Sequence, residues 1–359
     1  MLKRKHLAYC AAVLVLCSAG MIVGFQKWMG KDNRSLCGGI IREDAAKDLL
    51  GDEELQTERV GNGGSIGSQG RLAECKVIGE GGRRLATISI GTAASAPGVV
   101  TQSGHNRLDT TSASAPLGGE WPGVLTVEGA TLARATTVLE CHSEGPDHLL
   151  VNVNSTLADT DTYFTKSSQE RLRVARAATI VSKQADRKWG CHAKLGKAIE
   201  QAPAVPALND PKPLSSATGT CRSLRRVAPA AKAFGITRAV GTASTTESPT
   251  QDCLLVNAKG EEVYRLSALH GPLAKGFPAA RIIAHVPGEA GRDEDTPGWA
   301  WSKAQCPSTR SASLFTAASI GFPNDEGRLT VDGDFERELL DAFGSDLAKQ
   351  HGCEPPALP

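Results

Sequence analysis

The chain has 359 residues, of which 40% are apolar and only 4% aromatic, and its formal net charge is +1. This length predicts two domains, and the low aromatic content predicts cores of Ala, Val, Leu and Ile that gain stability from cross-links. The near-zero charge gives no large field of one sign, so neither nucleic acid nor another polyanion is expected as a partner.

The N-terminus carries a membrane-segment pattern. A cluster of basic residues precedes an uncharged apolar run at residues 7–25. At about 1.5 Å per residue, this run matches a hydrocarbon core about 30 Å thick. We predict a transmembrane signal anchor there, with residues 1–6 as a cytoplasmic tail and residues 26–36 as a stem. A cleaved secretory signal is the alternative.

The first domain is predicted at residues 37–200. Ile41, Ala45 and Leu49 recur every four residues and predict a helix that ends at Gly51. A glycine-rich loop is predicted at 61–70, a strand at 85–90 and a long exposed loop at 91–119. One or two strands follow within 121–140, and another strand follows at 149–153. The closing helix has one face formed by Val174, Ala178, Val181, Ala185 and Trp189.

A proline-rich linker is predicted at residues 201–220, and a second domain at 221–359. The second domain repeats the order of elements. We predict a helix at 227–234, strands at 254–256, 263–269, 281–286 and 314–320, and a closing helix that presents Phe335, Leu339, Phe343 and Leu347. Helix, several strands and helix in each copy predict an α+β fold: two tandem homologous domains, each a mainly antiparallel sheet with helices.

Eight of the ten cysteines form two matching sets of four, and this duplication is the most informative feature of the chain. The first set is Cys37, Cys75, Cys141 and Cys191, and the second is Cys221, Cys253, Cys306 and Cys353. The closing cysteine follows a ring residue and a glycine in both sets. Cysteines partitioned in this way are expected where disulfides persist, which is outside the cytoplasm.

Four cysteines per copy allow three pairings, and the sequence alone does not choose among them. We favour first with second and third with fourth, because each bond then ties a helix end to a neighbouring strand. The favoured pairs are Cys37–Cys75, Cys141–Cys191, Cys221–Cys253 and Cys306–Cys353. A zinc site is not expected, since it needs close pairs such as C-x₂-C and the sequence has none.

The opening of the first copy resembles a known group of proteins. A cysteine begins a short helix that ends in Leu-Leu-Gly at Gly51, a glycine-rich loop follows, and Cys75 heads a strand. This arrangement is similar to secreted or membrane-anchored, cysteine-paired domains of unknown function that are abundant in actinobacteria, some of them lipoproteins. The resemblance implies an extracytoplasmic location and implies no activity.

One motif suggests catalysis. Residues 63–67 match G-x-S-x-G, which would make Ser65 a nucleophile if a strand preceded it and a helix followed it. Neither pattern is present, and nothing in the sequence orders an acid beside His105 or His142. A flexible loop is the favoured interpretation. Packing inside the fold is likewise favoured over an exposed recognition surface for three tryptophans, Trp189, Trp299 and Trp301.

These observations predict a membrane-anchored extracytoplasmic protein that serves as a binding, sensing or envelope-associated module without catalysis. Its expected partners are the membrane, through residues 7–25, and a protein or envelope ligand. No cofactor or metal is predicted. Two alternatives stay open: a cell-surface serine hydrolase that uses Ser65, and a redox-active surface protein, which requires an accessible cysteine of low pKa.

Overall fold

The computed structural model describes residues 35–51, 54–59, 69–107, 111–142, 145–158, 163–206, 210–280, 286–294, 296–307, 312–321, 329 and 331–359. The predicted anchor at residues 7–25 and the loop that contains Ser65 lie outside these ranges. Within them, no helix is both long enough and apolar enough to cross a membrane.

The first half contains one large antiparallel sheet. A small hairpin of β1 (Ser35–Leu36) and β2 (Ile41–Arg42) precedes it. The sheet strands are β3 (Leu55–Arg59), β4 (Arg71–Gly79), β5 (Arg84–Thr92), β6 (Ser114–Pro116), β7 (Gly123–Glu128), β8 (Leu132–Glu140) and β9 (His148–Leu157). They lie in the order β3-β4-β5-β9-β8-β7-β6. The helices of this half are α1 (Glu43–Leu50), α2 (Ala96–Ser103) and α3 (Ser168–Trp189).

The second half contains a second antiparallel sheet. Its strands are β10 (Lys212–Pro213), β11 (Ile236–Gly241), β12 (Thr250–Asn257), β13 (Glu262–His270), β14 (Ala290–Arg292), β15 (Trp299–Gln305) and β16 (Ala312–Ser319). They lie in the order β10-β11-β12-β13-β16-β15-β14. The helices are α4 (Ala228–Ala233), α5 (Pro272–Gly276) and α6 (Gly333–Gln350), and a 3₁₀ helix spans Gly219–Val227.

The two sheets share one topology. When the extra edge strand of each sheet, β6 or β10, is set aside, six strands remain in each half. Numbered along the chain, these six strands lie in the order 1-2-3-6-5-4 in both sheets. The α+β class with antiparallel sheets is therefore confirmed, and the cysteine duplication corresponds to a repeated strand order.

Local sequence signals explain the long helices. Ser167 caps α3 by accepting a hydrogen bond from the Glu170 backbone N–H at 3.2 Å, and Gly190 ends the helix in the left-handed conformation with φ of 60°. Asp332 caps α6 in the same way through Phe335 N at 2.7 Å. The predicted apolar faces of both helices are buried, apart from the partly exposed Trp189. The opening helix differs from the prediction, since it begins at Glu43 rather than near Cys37.

Each sheet is covered on both faces. One face packs against the helices of its own half, mostly through Ala, Val, Leu and Ile side chains, and forms a separate core in each half. The opposite faces contribute to a third cluster that contains residues of both halves, including Val138 and Leu150 from the first sheet and Leu269 and Leu314 from the second. The halves therefore pack against each other rather than moving as independent units on a tether.

The segment at residues 91–119 was predicted to be a long exposed loop, and the structure contradicts this. It contains α2 and β6, and Ala96, Val100, Ala115 and Leu117 are almost completely buried. Its small side chains allow α2 to lie close against α5 of the other half, while β6 lies beside β12. A composition rich in Ala, Ser and Gly here indicates close packing at an interface rather than exposure to solvent.

The last residues of the chain run back along β15. The backbone N–H of Glu354 donates to Gln305 O at 2.8 Å, and that of Ala357 donates to Lys303 O at 3.0 Å. The short strand β14 pairs only with residues 300–302 of β15. The C-terminal tail therefore bonds to the part of β15 that lies beyond β14.

We expect the interface between the halves to depend on Gly276, where a Cβ atom would lie 2.6 Å from the Cβ of Ala96 and 3.0 Å from Pro97 N. Gly276→Ala should lower the free energy of unfolding by about 1–3 kcal/mol, because a close-packed interface cannot absorb the extra carbon. Urea unfolding measures the change. Lys275→Ala, on the exposed side of the same helix, is the matched control and should have little effect; equal losses in both variants would contradict the prediction.

Candidate functional site

The four disulfides have the pairing that the sequence analysis favours: Cys37–Cys75, Cys141–Cys191, Cys221–Cys253 and Cys306–Cys353. In each half the last bond joins the residue after a strand, β8 or β15, to a cysteine that lies two or three residues beyond the end of the closing helix. The first of these two bonds is completely buried, whereas Cys306 and Cys353 are both partly exposed.

A buried polar network crosses the interface between the halves. His105 of the first half directs Nε2 at both carboxylate oxygens of Asp252 on β12, at 3.1 and 3.2 Å. Asp252 also accepts a hydrogen bond from Ser114 N of β6 at 2.7 Å. Arg265 on β13 donates to the carbonyl oxygens of His105 and Arg107 at 3.2 and 2.7 Å. The network therefore joins both halves through side chains that are shielded from solvent.

The electrostatics of this network favour an ionised carboxylate. Burial, the largest effect, raises the pKa of Asp252, but the charge and hydrogen bond of His105 and the charge of Arg265 together lower it below its ordinary value of 3.8. The sequence analysis found no acid to order His105. Asp252 supplies one from 147 positions along the chain, and only the packing of the two halves brings the two residues together.

Ser103, His105 and Asp252 form a chain of hydrogen bonds that has the residue types of a catalytic triad. His105 Nδ1 lies 2.7 Å from Ser103 Oγ, but the Ser103 hydroxyl donates to Val100 O at 2.9 Å. His105 is only 1% exposed. The arrangement therefore joins the two halves through a buried imidazole ring.

A groove of about 330 Å³ lies between the halves and contains four of the eight histidines of the chain. His142 and His148 line it from the first half, and His270 and His351 from the second. Glu140, Glu247 and Lys194 add charged groups to its walls. This concentration of titratable side chains at a cleft is the strongest indication of a binding site among the described residues.

His270 and His351 form a stacked pair at the groove, with ring centroids 3.8 Å apart. His270 Nδ1 lies 2.8 Å from Ser313 Oγ, while its Nε2 is shielded from solvent and has no hydrogen-bond partner. Gln251 accepts from Ser244 through its amide oxygen and donates to His351 Nε2 at 3.0 Å. This pattern places the proton of a neutral His351 on Nδ1.

Burial is the main effect that keeps this pair neutral. Burial, followed by the charge of His351, holds the pKa of His270 well below its usual value of 6.5. Burial also lowers the pKa of His351, although Glu247 opposes this shift. The groove therefore presents two uncharged imidazole rings near neutral pH.

Two of the three tryptophans pack inside the fold. Trp299 and Trp301 on β15 are buried in the cluster between the halves, where Trp299 stacks on Phe277 with centroids 6.0 Å apart. Trp189 is partly buried against the core of the first half, two residues before Cys191. Neither Trp299 nor Trp301 is available as a recognition surface.

Comparison of the chain with models of protein families, with curated proteins and with solved structures finds no match. In the parts of the chain that the structure describes, no three His, Cys, Asp or Glu side chains are grouped as a metal site.

Asp252→Asn should destabilise the protein by about 3–5 kcal/mol at pH 7, because it removes the charge that faces a buried histidine and arginine. The lowered pKa means that the carboxylate stabilises the folded state above pH 3.8 and that this contribution is lost as the pH falls below that value. Denaturant unfolding at several pH values should show the gap between wild type and variant closing on acidification. A gap that does not depend on pH would contradict the assigned charge.

The double variant His270→Gln, His351→Gln should weaken the acid sensitivity of the fold. Both pKa values are lowered in the folded state, so the unfolded chain takes up protons first as the pH falls below 6.5, and stability is lost. Between pH 7 and 5.5 the wild type should lose about 1 kcal/mol more per pH unit than the variant. Urea unfolding across this pH range measures the free energy of unfolding of both proteins. Free energies that fall equally with pH in wild type and variant would show that the two histidines do not cause the acid sensitivity.

Proposed function

We propose that the chain is an extracytoplasmic binding module, anchored by residues 7–25, that takes a small polar ligand into the histidine groove between its two halves. The single observation that carries the proposal is the groove itself. Four histidines from four separate positions of the chain converge on one cleft, together with carboxylates and an ammonium group. Titratable side chains gathered at a cleft are typical of binding sites.

The composition of the groove indicates the ligand. Imidazole rings, the carboxylates Glu140 and Glu247 and the ammonium of Lys194 offer donors and acceptors of both charges. A volume of about 330 Å³ suits a small molecule better than a polymer. We infer a small molecule with several polar groups, such as an amino acid, a dicarboxylate, a polyamine or a sugar.

The cysteines support an extracytoplasmic location. All eight cysteines beyond the apolar run are paired within their own half, as is typical of proteins that fold in an oxidising compartment.

The repeated strand order supports an origin of the two halves by duplication of one unit. The groove lies where these two units meet, and both contribute residues to its walls.

The test is a ligand titration of the full-length chain with ¹³C-labelled histidine, followed by the ring resonances. Glycine, succinate, putrescine and glucose represent the four ligand classes. At least one probe should shift the resonances of His142, His148, His270 or His351 while leaving His192, outside the groove, unchanged. If none of the four probes moves a groove resonance, the proposal of a small polar ligand fails.

A groove-filling variant provides the control. Thr246 is exposed and lines the groove. Thr246→Trp should abolish the shifts, because the indole ring would occupy the ligand volume. Lys259→Trp, in the exposed turn between β12 and β13, adds the same ring away from the groove and should leave binding intact.

A further inference from the structure

The two closing disulfides occupy the same place in the two halves. Cys141 follows β8 and pairs with Cys191 after α3, and Cys306 follows β15 and pairs with Cys353 after α6. The chain therefore contains two versions of one cross-link, and differences in the side chains around them are informative.

The strand registers identify the matched positions. Leu149 pairs with Leu139, two residues before Cys141, and Ser313 pairs with Ala304, two residues before Cys306. On the next strand, Leu149 faces Thr92 and Ser313 faces His270. Two residues before the last cysteine, the first half has Trp189 and the second has His351. Leu149, Thr92 and Trp189 in the first half are thus replaced by a serine and two histidines in the second.

Ser313 lies directly against the second disulfide. Its hydroxyl oxygen is 3.3 Å from Cys306 Sγ and 3.6 Å from Cys353 Sγ, and the ring of His270 is on its other side at 2.8 Å. Ser313 is buried, whereas the two cysteines are partly exposed. The Cys306–Cys353 cystine is therefore nearer to solvent than Cys141–Cys191, and the Ser313 hydroxyl contacts its sulfur atoms from inside the protein.

We propose that Cys306–Cys353 is a thiol–disulfide exchange site for an external dithiol, with Ser313 stabilising the sulfur that leaves. This activity does not depend on ligand binding in the groove. A thiolate is the nucleophile in such exchange, and the reaction is faster when the leaving sulfur is stabilised. Ser313 lies closer to Cys306, which makes Cys306 the leaving group and Cys353 the point of attack.

The dithiol reduces the disulfide in two successive exchanges. One thiolate of the dithiol attacks Cys353 Sγ, a new sulfur–sulfur bond forms, and the Cys306–Cys353 bond breaks. Its electron pair stays on Cys306, which accepts a hydrogen bond from the Ser313 hydroxyl and then a proton from solvent. The second thiol of the dithiol, deprotonated by solvent, attacks the external sulfur of the mixed disulfide and releases Cys353, which is protonated in turn. The dithiol is oxidised by two electrons, and the protein disulfide is reduced to two thiols.

Reduction of the folded, full-length chain by dithiothreitol tests the proposal, with alkylation and mass spectrometry reporting each disulfide separately. Cys306–Cys353 should open at least about tenfold faster than Cys141–Cys191. Ser313→Ala should slow its opening about tenfold, the effect of losing one hydrogen bond to a charged sulfur. Ser313→Thr, which keeps the hydroxyl, should retain most of the wild-type rate.

Greater exposure alone would also make Cys306–Cys353 open faster than Cys141–Cys191. The Ser313 variants separate this explanation from a chemical role of the hydroxyl. If Ser313→Ala opens as fast as the wild type, the hydroxyl has no chemical role and the proposal is overturned. The rate of Cys221–Cys253, a buried bond in the same half, checks the fold in each sample. A variant that loosened the structure would open this bond faster, whereas loss of the hydroxyl should leave its rate unchanged. Equal rates for Cys306–Cys353 and Cys141–Cys191 in the wild type would equally reject the proposal.

Discussion

The covalent link between the closing helix and the end of a strand is the constraint on which each half depends. The apolar cores consist mainly of Ala, Val, Leu and Ile side chains, and each packs a layer of helices on one face of a sheet. Such a layer has limited apolar area with which to hold a helix in one position. Disulfides that close 50 residues in the first half and 47 in the second fix the register of α3 and α6 on their sheets. The opposite face of each sheet is then free to pack against the other half.

The packing of these free faces creates the features that distinguish the molecule from two separate domains. Small residues on α2 and α5 allow close approach, and the hydrogen-bonded pair of His105 and Asp252 is buried between the halves. Removing such polar groups from water is costly, so a buried pair is weak evidence for stability. We interpret it as an element that fixes the alignment of the halves, whereas the apolar side chains of the shared cluster supply buried apolar area. The histidine groove is the space left where this contact ends.

The sequence predicted the parts of the fold that depend on local patterns. The four-residue spacing in α3 and α6 and the matched cysteine sets led to the correct helices and disulfides. The strand pattern was harder to interpret, because strands buried on both faces, such as β12, lack alternation between apolar and polar residues. The interface was missed because Ala, Ser and Gly at residues 91–119 are equally typical of loops. The groove was not predictable, since His148 and His351 come to line one cleft only after both sheets have formed and packed.

The backbone bonds of the C-terminal tail to β15 give the second disulfide a further consequence. Cys353 lies between the end of α6 and this tail, so one covalent bond holds both in place. Without it, residues 354–359 would be held by noncovalent contacts alone, and detachment of the tail would make the carbonyl groups of Lys303 and Gln305 acceptors for a strand of another molecule. A change in the oxidation state of a single cystine could in this way be converted into a change in self-association.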